Sequence, residues 1–331
     1  MRSFVLSAAD FERELREVQA FFRLPSVGLV EKDLHVVRAI SAIAEVDAAP
    51  FTLVFGGGTA LARAHKLVKR MSEDVDFKIV PLPAAAVSRT ILRQQLGGLR
   101  DRVSVALRAA GFAFDPTDKA NPKSRNESRY TIWQLPYDSA ISGGEGLRAT
   151  IQVELTYAPL RLASLEMPVS SFVTEAFNRP PEVTGMPCVS LTETAAEKLV
   201  SLTRRTGMER AGLSRDPDPT LVRHVYDLHA MREHIDMDQL AQLVPLIATA
   251  DAEEFRNQYP AYAANIAGET QTAVIALQTD PIYRKRYDDF VAGMVYGERS
   301  GFDAALDTVV AVIKKAMKQL PLAGMGNRSA E

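Results

Sequence analysis

Asp74 and Asp76 stand one residue apart in the stretch Asp74-Val75-Asp76-Phe77-Lys78-Ile79-Val80, where polar and apolar side chains alternate. A period of two predicts a half-buried strand. On such a strand the two carboxylates share one face, about 6.5 to 7 Å apart, while Val75, Phe77 and Ile79 point to the core. Two acids on one face with no base between them repel each other unless a cation lies there. Magnesium suits the pattern, because it takes oxygen ligands and keeps positions for water and substrate phosphates. A bare Asp-x-Asp also describes two solvated acids on an edge strand. The preceding segment weighs against that reading. The apolar run 51–55 ends in Gly56-Gly57-Gly58, and a helical stretch starts at Thr59, so strand, glycine turn and helix follow one another. Glycines at that place let backbone N–H groups approach a triphosphate, although strand-to-helix turns also use glycine for its φ freedom alone. The chain lacks the Gly-Lys-Ser/Thr ending of a P-loop and the GxGxxG of a dinucleotide fold.

A third carboxylate lies further on. In Ile151-Gln152-Val153-Glu154-Leu155-Thr156-Tyr157 the odd positions are apolar, so Glu154 shares the opposite face with Gln152 and Thr156. If this strand neighbours the Asp74 strand, Asp74, Asp76 and Glu154 converge on one metal site. In two-metal phosphoryl or nucleotidyl transfer, such acids hold ions about 3.5 to 4 Å apart.

The elements that must position these residues follow from periodicity and breakers. Amphipathic helices are predicted over 8–22 and 30–46, helical character over 59–68, and a long helix over 84–110 with a break or kink at Gly97-Gly98. Short strands are predicted at 112–114, 129–135, 148–157 and 165–173, separated by loops rich in Asp, Asn, Pro and Gly. After Pro180-Pro181 the texture is helical: Ser190-Leu191-Thr192-Glu193 reads as a capping box opening a helix to about 206, and further helices are predicted over 219–233, 236–248, 250–259, 260–277, 281–296 and 300–320. The expected architecture is α+β, a mixed sheet with flanking helices in residues 1–180, followed by an all-helical domain in 181–320 and a flexible tail in 321–331.

Composition sets the limits. With 331 residues, 47% hydrophobic and 24% charged, the chain has the size of two soluble domains. Its single cysteine, Cys188, excludes an intrachain disulfide and argues against a cysteine-built zinc site. No apolar run reaches the roughly 18 to 20 residues of a membrane span, and the N-terminal stretch mixes acids and bases from the start, so the protein is expected to be cytoplasmic with no membrane partner. A net charge of -2 argues against non-specific coating of nucleic acid, without excluding a local basic patch. Two such clusters stand out: Arg63, His65, Lys66, Lys69 and Arg70, and the bases from Lys119 to Arg129.

Taken together, Gly56 to Leu61 (GGGTAL) and Arg70 to Phe77 (RMSEDVDF) are similar to motif I of the DNA polymerase β-type nucleotidyltransferases. More narrowly, the chain resembles the AbiEii/AbiGii toxins, nucleotidyltransferases of abortive-infection toxin-antitoxin systems. Glu31-Lys32-Asp33-Leu34-His35-Val36-Val37 is similar to a segment preceding the core in that branch, Glu197-Lys198-Leu199-Val200-Ser201-Leu202 with Arg204-Arg205 to its lysine motif, and His224-Val225-Tyr226-Asp227-Leu228 to its Tyr-Asp-Leu motif. The likeness runs in family order from about residue 31 to 232, with Gly57-Gly58 where serine is common and His224 where aspartate is common.

The resemblance implies a nucleotidyltransferase-type sheet whose cleft is completed by the helical half. Asp74 and Asp76 would bind Mg2+, with Glu154 as third metal-binding acid assisting deprotonation of the acceptor hydroxyl, and Gly57 and Gly58 would cradle the phosphates. Ser72 would bond a phosphate or serve as a turn hydroxyl, and Lys66, Arg70 and Arg205 are candidate nucleotide-binding cations. Lys198 and Asp227 correspond to the functional pair of the helical half; read from the residues alone, they are a snorkelling lysine and an intrahelical partner of Arg223. Lys32 is a candidate nucleic-acid contact. The implied activity is growth-inhibiting transfer of a nucleoside monophosphate from NTP to an RNA acceptor such as the tRNA 3′ end, restrained by an antitoxin encoded nearby. Transfer to a small-molecule or protein hydroxyl, and nucleotide binding without turnover, are the alternatives.

Overall fold

The computed structural model describes residues 7–82, 87–118, 120–141, 147–214 and 217–317. The chain divides after Ser190 into two compact units. In order, the first carries α1 (Ala8–Phe22), α2 (Val27–Ala44), β1 (Phe51–Gly56), α3 (Gly57–Arg63), β2 (Asp74–Pro81), α4 (Arg89–Ala109), β3 (Lys123–Arg125), β4 (Tyr130–Pro136), β5 (Thr150–Tyr157), β6 (Leu165–Val169), α5 (Phe172–Ala176) and β7 (Val183–Cys188). The second carries α6 (Leu191–Arg210), a 3-10 turn at Pro219–Val222, α7 (Arg223–Met231), α8 (Met237–Glu254), α9 (Pro260–Ala264), α10 (Ile266–Thr279), α11 (Pro281–Met294) and α12 (Phe302–Met317). The expected tail 321–331, Lys119 and the start of the expected helix 84–110 lie outside the described residues. No helix among the described residues is long and apolar enough to cross a membrane.

Among the described residues the strands form one mixed sheet in the order β3-β4-β5-β2-β1-β7-β6. β2 lies parallel to β5 and β1 parallel to β7, while the other neighbours are antiparallel. Alternation decides the faces. Val75, Phe77 and Ile79 of β2, Val153 and Leu155 of β5 and Trp133 and Leu135 of β4 are buried, in one core with Val36, Ile40 and Ile43 of α2 and Leu96, Leu99, Val103 and Leu107 of α4. Trp133 is fully buried and its indole N–H donates to Ser104 Oγ of α4 at 3.0 Å, which satisfies its one polar atom.

The structure departs from the sequence reading in several places. Residues 112–114 form no strand: Gly111, at φ +93°, turns the chain out of α4, and Phe112 drops into the core. The strand expected over 165–173 stops at Val169, because Ser171 caps α5 by accepting from Thr174 N–H at 3.1 Å. Residues 183–188, grouped with the helical half but assigned to no helix by the sequence, are strand β7, bound to β1 through Val189 N–H and Phe55 O at 2.8 Å. The two compact units therefore divide after Ser190.

α2 carries the least expected feature of this unit. Glu31, Lys32 and Asp33 are consecutive, charged and each at most 3% exposed. Successive helical residues point about 100° apart, so each meets a different neighbour. Glu31 accepts from Ser139 Oγ and from Ala140 N–H, both at 2.6 Å. Asp33 accepts from Phe172 N–H at 2.7 Å and lies 3.2 Å from Arg63 Nε; burial pushes its carboxyl up to about 6, against the pull of Arg63. Lys32 Nζ lies 2.6 Å from Glu73 and donates to the carbonyls of Arg148 and Thr150, so it is a structural tie and not a nucleic-acid contact. Replacing Lys32 with Met leaves Glu73, half-buried beside Asp74, without its ammonium partner. Such one-sided losses cost about 3 to 5 kcal/mol, so the urea midpoint of Lys32→Met is expected to fall sharply relative to that of exposed Lys285→Met.

Candidate active site

β2 and β5 pair so that Asp76 stands opposite Glu154 and Asp74 opposite Gln152. Directly paired residues share a face, so the three acids lie on the face opposite the core. The condition set by the sequence, that these strands be neighbours, is met.

Glu154 is half-buried. Its carboxylate accepts from Tyr130 O–H of β4 at 3.0 Å and from the Gln152 amide. Burial first, with the nearby charge of Asp74 adding to it, holds its pKa above the ordinary glutamate range. Tyr130 is shifted upward by burial and by the Glu154 charge, so it stays a neutral donor. Gln134 and Thr150 continue the polar row, with Gln134 donating to Gln152 at 2.6 Å and Thr150 Oγ to Gln134 at 2.9 Å.

Asp74 is met by Arg148, whose Nη2 lies 2.6 Å from Oδ1. The same guanidinium reaches Glu73 at 3.5 Å, and the Arg148 N–H donates to Glu73 at 3.0 Å. The backbone carbonyl of Asp74 accepts from Thr59 Oγ of α3, which joins the glycine turn to the acid strand. Asp76 stands opposite Gly56, and its carboxylate lies against Gly57. Gly57 has φ +70°, and a Cβ there would fall 1.9 Å from Asp76 Oδ2, so both the backbone angle and the close approach demand glycine. A Cβ on Gly58 would meet Arg70 Nη2 at 2.5 Å and Ser72 Oγ at 2.9 Å. Arg70, buried, and Ser72 therefore converge on the turn as the sequence suggested. Lys66 does not join them, since its ammonium pairs with Glu175 of α5 at 3.1 Å.

The helical unit brings Lys198 of α6 and Asp227 of α7 into a buried ion pair at 2.8 Å. Arg223 is not the partner of Asp227 in this pair: it turns to Asp218, which Arg205 also reaches, at 3.3 and 2.9 Å. His224 is buried beside these charges, and both its ring nitrogens lack a hydrogen-bond partner among the described residues. Burial, together with the Lys198 charge, lowers its basicity well below the usual imidazole range and keeps it neutral.

The family model described as nucleotidyl transferase AbiEii toxin, type IV toxin-antitoxin system, matches residues 39–308. The chain belongs to this family. Among solved structures, MenT4, a nucleotidyltransferase toxin from Mycobacterium tuberculosis H37Rv, is similar in fold, with a TM-score of 0.56 at 17% identity over 96% of this chain and 91% of that one. No curated protein matches the chain.

Within this AbiEii-family transferase, sequence reasoning missed Arg148, Tyr130, Gln152 and Glu73. Tyr130 and Gln152 were legible as outward positions of alternating strands, whereas nothing local marks Arg148, whose partners are 74 and 75 residues away. Among the described residues no three His, Cys, Asp or Glu side chains close on one point as metal ligands. Asp74 is instead drawn to Arg148, and Glu154 to Tyr130 and Gln152.

Two outcomes are expected. Gly57→Ala should lower stability by about 1 to 2 kcal/mol, the usual cost of a left-handed L-residue, and should depress activity much further by displacing Asp76. In a double-mutant cycle, Lys198→Met and Asp227→Leu should each cost about 3 to 5 kcal/mol, while the double variant recovers most of the stability in urea unfolding. If the double variant also kept full catalytic activity, the pair would be structural only.

Proposed function

We propose that the protein transfers a nucleoside monophosphate, or a short run of them, from an NTP to the 3′-hydroxyl of RNA, with the 3′ end of tRNA as the acceptor. Growth inhibition then follows from blocked translation, and a cognate antitoxin restrains the activity. The observation that supports this most directly is the Asp76–Glu154 register, with Asp74 on the same face beside a glycine turn packed by Arg70 and Ser72.

The donor set suits Mg2+: three carboxylates offer hard oxygen ligands, and burial, with the charge of Asp74, holds the pKa of Glu154 above its ordinary range. Asp74, Asp76 and Glu154 would hold the ion, which when bound would supply charge neutralisation for the triphosphate and the attacking oxygen. Gly57 and Gly58 let Asp76, Arg70 and Ser72 close on the turn, where the backbone N–H groups, the Arg70 guanidinium and the Ser72 hydroxyl would supply donors to the phosphates. Glu154, less acidic than an exposed glutamate, accepts the proton of the acceptor hydroxyl. The acceptor oxygen bonds to the α-phosphorus, the bond from that phosphorus to the bridging oxygen breaks, and pyrophosphate leaves with the electron pair. In the helical unit, Lys198, oriented by Asp227, is the catalytic candidate and Arg205 the nucleotide-binding one. To bind nucleotide, Lys66 would exchange Glu175 for a phosphate, as Arg205 would exchange Asp218.

Incubation of the purified protein with each NTP labelled at the α-phosphate, Mg2+ and total RNA should label RNA of tRNA size. Chelation should abolish the labelling, and Asp74→Asn or Asp76→Asn should reduce it by about 10³-fold, equivalent to about 4 kcal/mol of lost charge stabilisation. Label in a small molecule or protein would replace the acceptor assignment. No transfer with any NTP from folded protein would sink the reaction itself.

A further inference from the structure

The sheet register carries the acid row onward to the edge of the sheet. Asp76 pairs with Glu154, Glu154 with Ile132, and Ile132 with Lys123, so a straight line of residues crosses β2, β5, β4 and β3. One step along the strands, Thr156 pairs with Tyr130 and Tyr130 with Arg125. Ser124, between the two bases, bonds Thr131 at 2.9 Å, and Thr131 is buried on the core side. Lys123 and Arg125 therefore belong to the same face as Asp76 and Glu154. Both are exposed, and neither is ion-paired among the described residues.

Strand spacing sets the scale. At about 4.8 Å per strand, Lys123 stands about 10 Å from Glu154 and about 14 Å from Asp76. Between them lie the half-buried Tyr130 phenol and Ile132, an apolar and aromatic strip between the acids and the bases. The carboxylates of the adjoining loop do not cancel the edge charge: Glu127 is taken by Arg89 at 2.6 Å, while Asp115 and Asp118 accept from the backbone of their own loop.

We propose that β3 and β4 form the track for the acceptor strand. A single-stranded RNA 3′ end lies across β4, its terminal hydroxyl at Glu154 and Asp76, with a phosphate one or two nucleotides upstream on Lys123 and Arg125. Cationic contacts to the backbone beside a surface on which bases can stack are the usual means of holding a single strand without reading its sequence. This rests on the transfer reaction proposed above and adds the path of its acceptor.

The test uses the full chain and the Lys123→Ala/Arg125→Ala variant. Transfer is assayed against RNA concentration, and binding of a short single-stranded RNA with a free 3′-hydroxyl is measured separately from binding of Mg-NTP alone. The variant should raise the KM for RNA and the Kd of the single strand about tenfold. It should flatten the slope of log Kd against log salt by about 1.4, as expected for two lost phosphate contacts on a single strand. It should leave kcat at saturating RNA and Mg-NTP affinity unchanged, and Lys123→Arg/Arg125→Lys should behave as wild type. An unchanged KM and salt slope, with the wild type transferring to RNA, would overturn the track and leave the reaction standing. Equal competition by a blunt duplex would overturn the single-strand assignment. Failure of the wild type to label any RNA would overturn the reaction, and the track with it.

Discussion

The acid-bearing face of the sheet depends on a lysine that never meets solvent. Lys32, fully buried, places its ammonium among Glu73 and the carbonyls of Arg148 and Thr150. Taking a charge out of water is costly, and only a full set of acceptors makes it tolerable. That set is drawn from the residue before Asp74 and from the entry to β5, so one side chain fastens the starts of both acid strands to α2. A slip of one residue between β2 and β5 would turn Glu154 into the core and Leu155 out of it. The neighbours of Lys32 extend the effect, Glu31 holding the loop at 139–140 and Asp33 the start of α5.

Electrostatics on the face itself is unfinished by design of its residues. Arg148 is half-exposed and divides its guanidinium between Asp74 and Glu73, while Glu154 relies on neutral donors. Acids satisfied by an exposed arginine and by amides can exchange those partners for a metal ion far more readily than acids locked in a buried pair. The helical unit shows the opposite solution. Lys198 and Asp227 are closed on each other out of water, and His224 beside them stays neutral, which spares the pair a third charge.

Much of this was legible from residue order. Alternation in 74–80 and 151–157 placed the acids on the outer face, and the three glycines marked the turn beside them. What local patterns could not supply was anything settled across the fold. β7 contains Gly185 and Pro187, which argue against a strand, yet its pairing with β6 along its length and with β1 at Cys188 prevails over propensity. Charged Glu31, Lys32 and Asp33 look like a solvated helix face, and only the packing of α2 on several sides reveals them as buried. The Lys198–Asp227 pair leaves no periodic trace, because its two members lie on different helices. Ser171 ended a strand that β-propensity alone would have carried to residue 173.

Trp133 has a consequence of another kind. It is the sole tryptophan of the chain, it is wholly enclosed between β4 and α4, and it belongs to the unit that carries the acids. Tryptophan fluorescence, excited at wavelengths where tyrosine does not absorb, therefore reports on the sheet core, whereas far-ultraviolet ellipticity weights the helical unit. The protein thus contains its own pair of optical channels, and the cooperativity between its two units can be read without attaching any label.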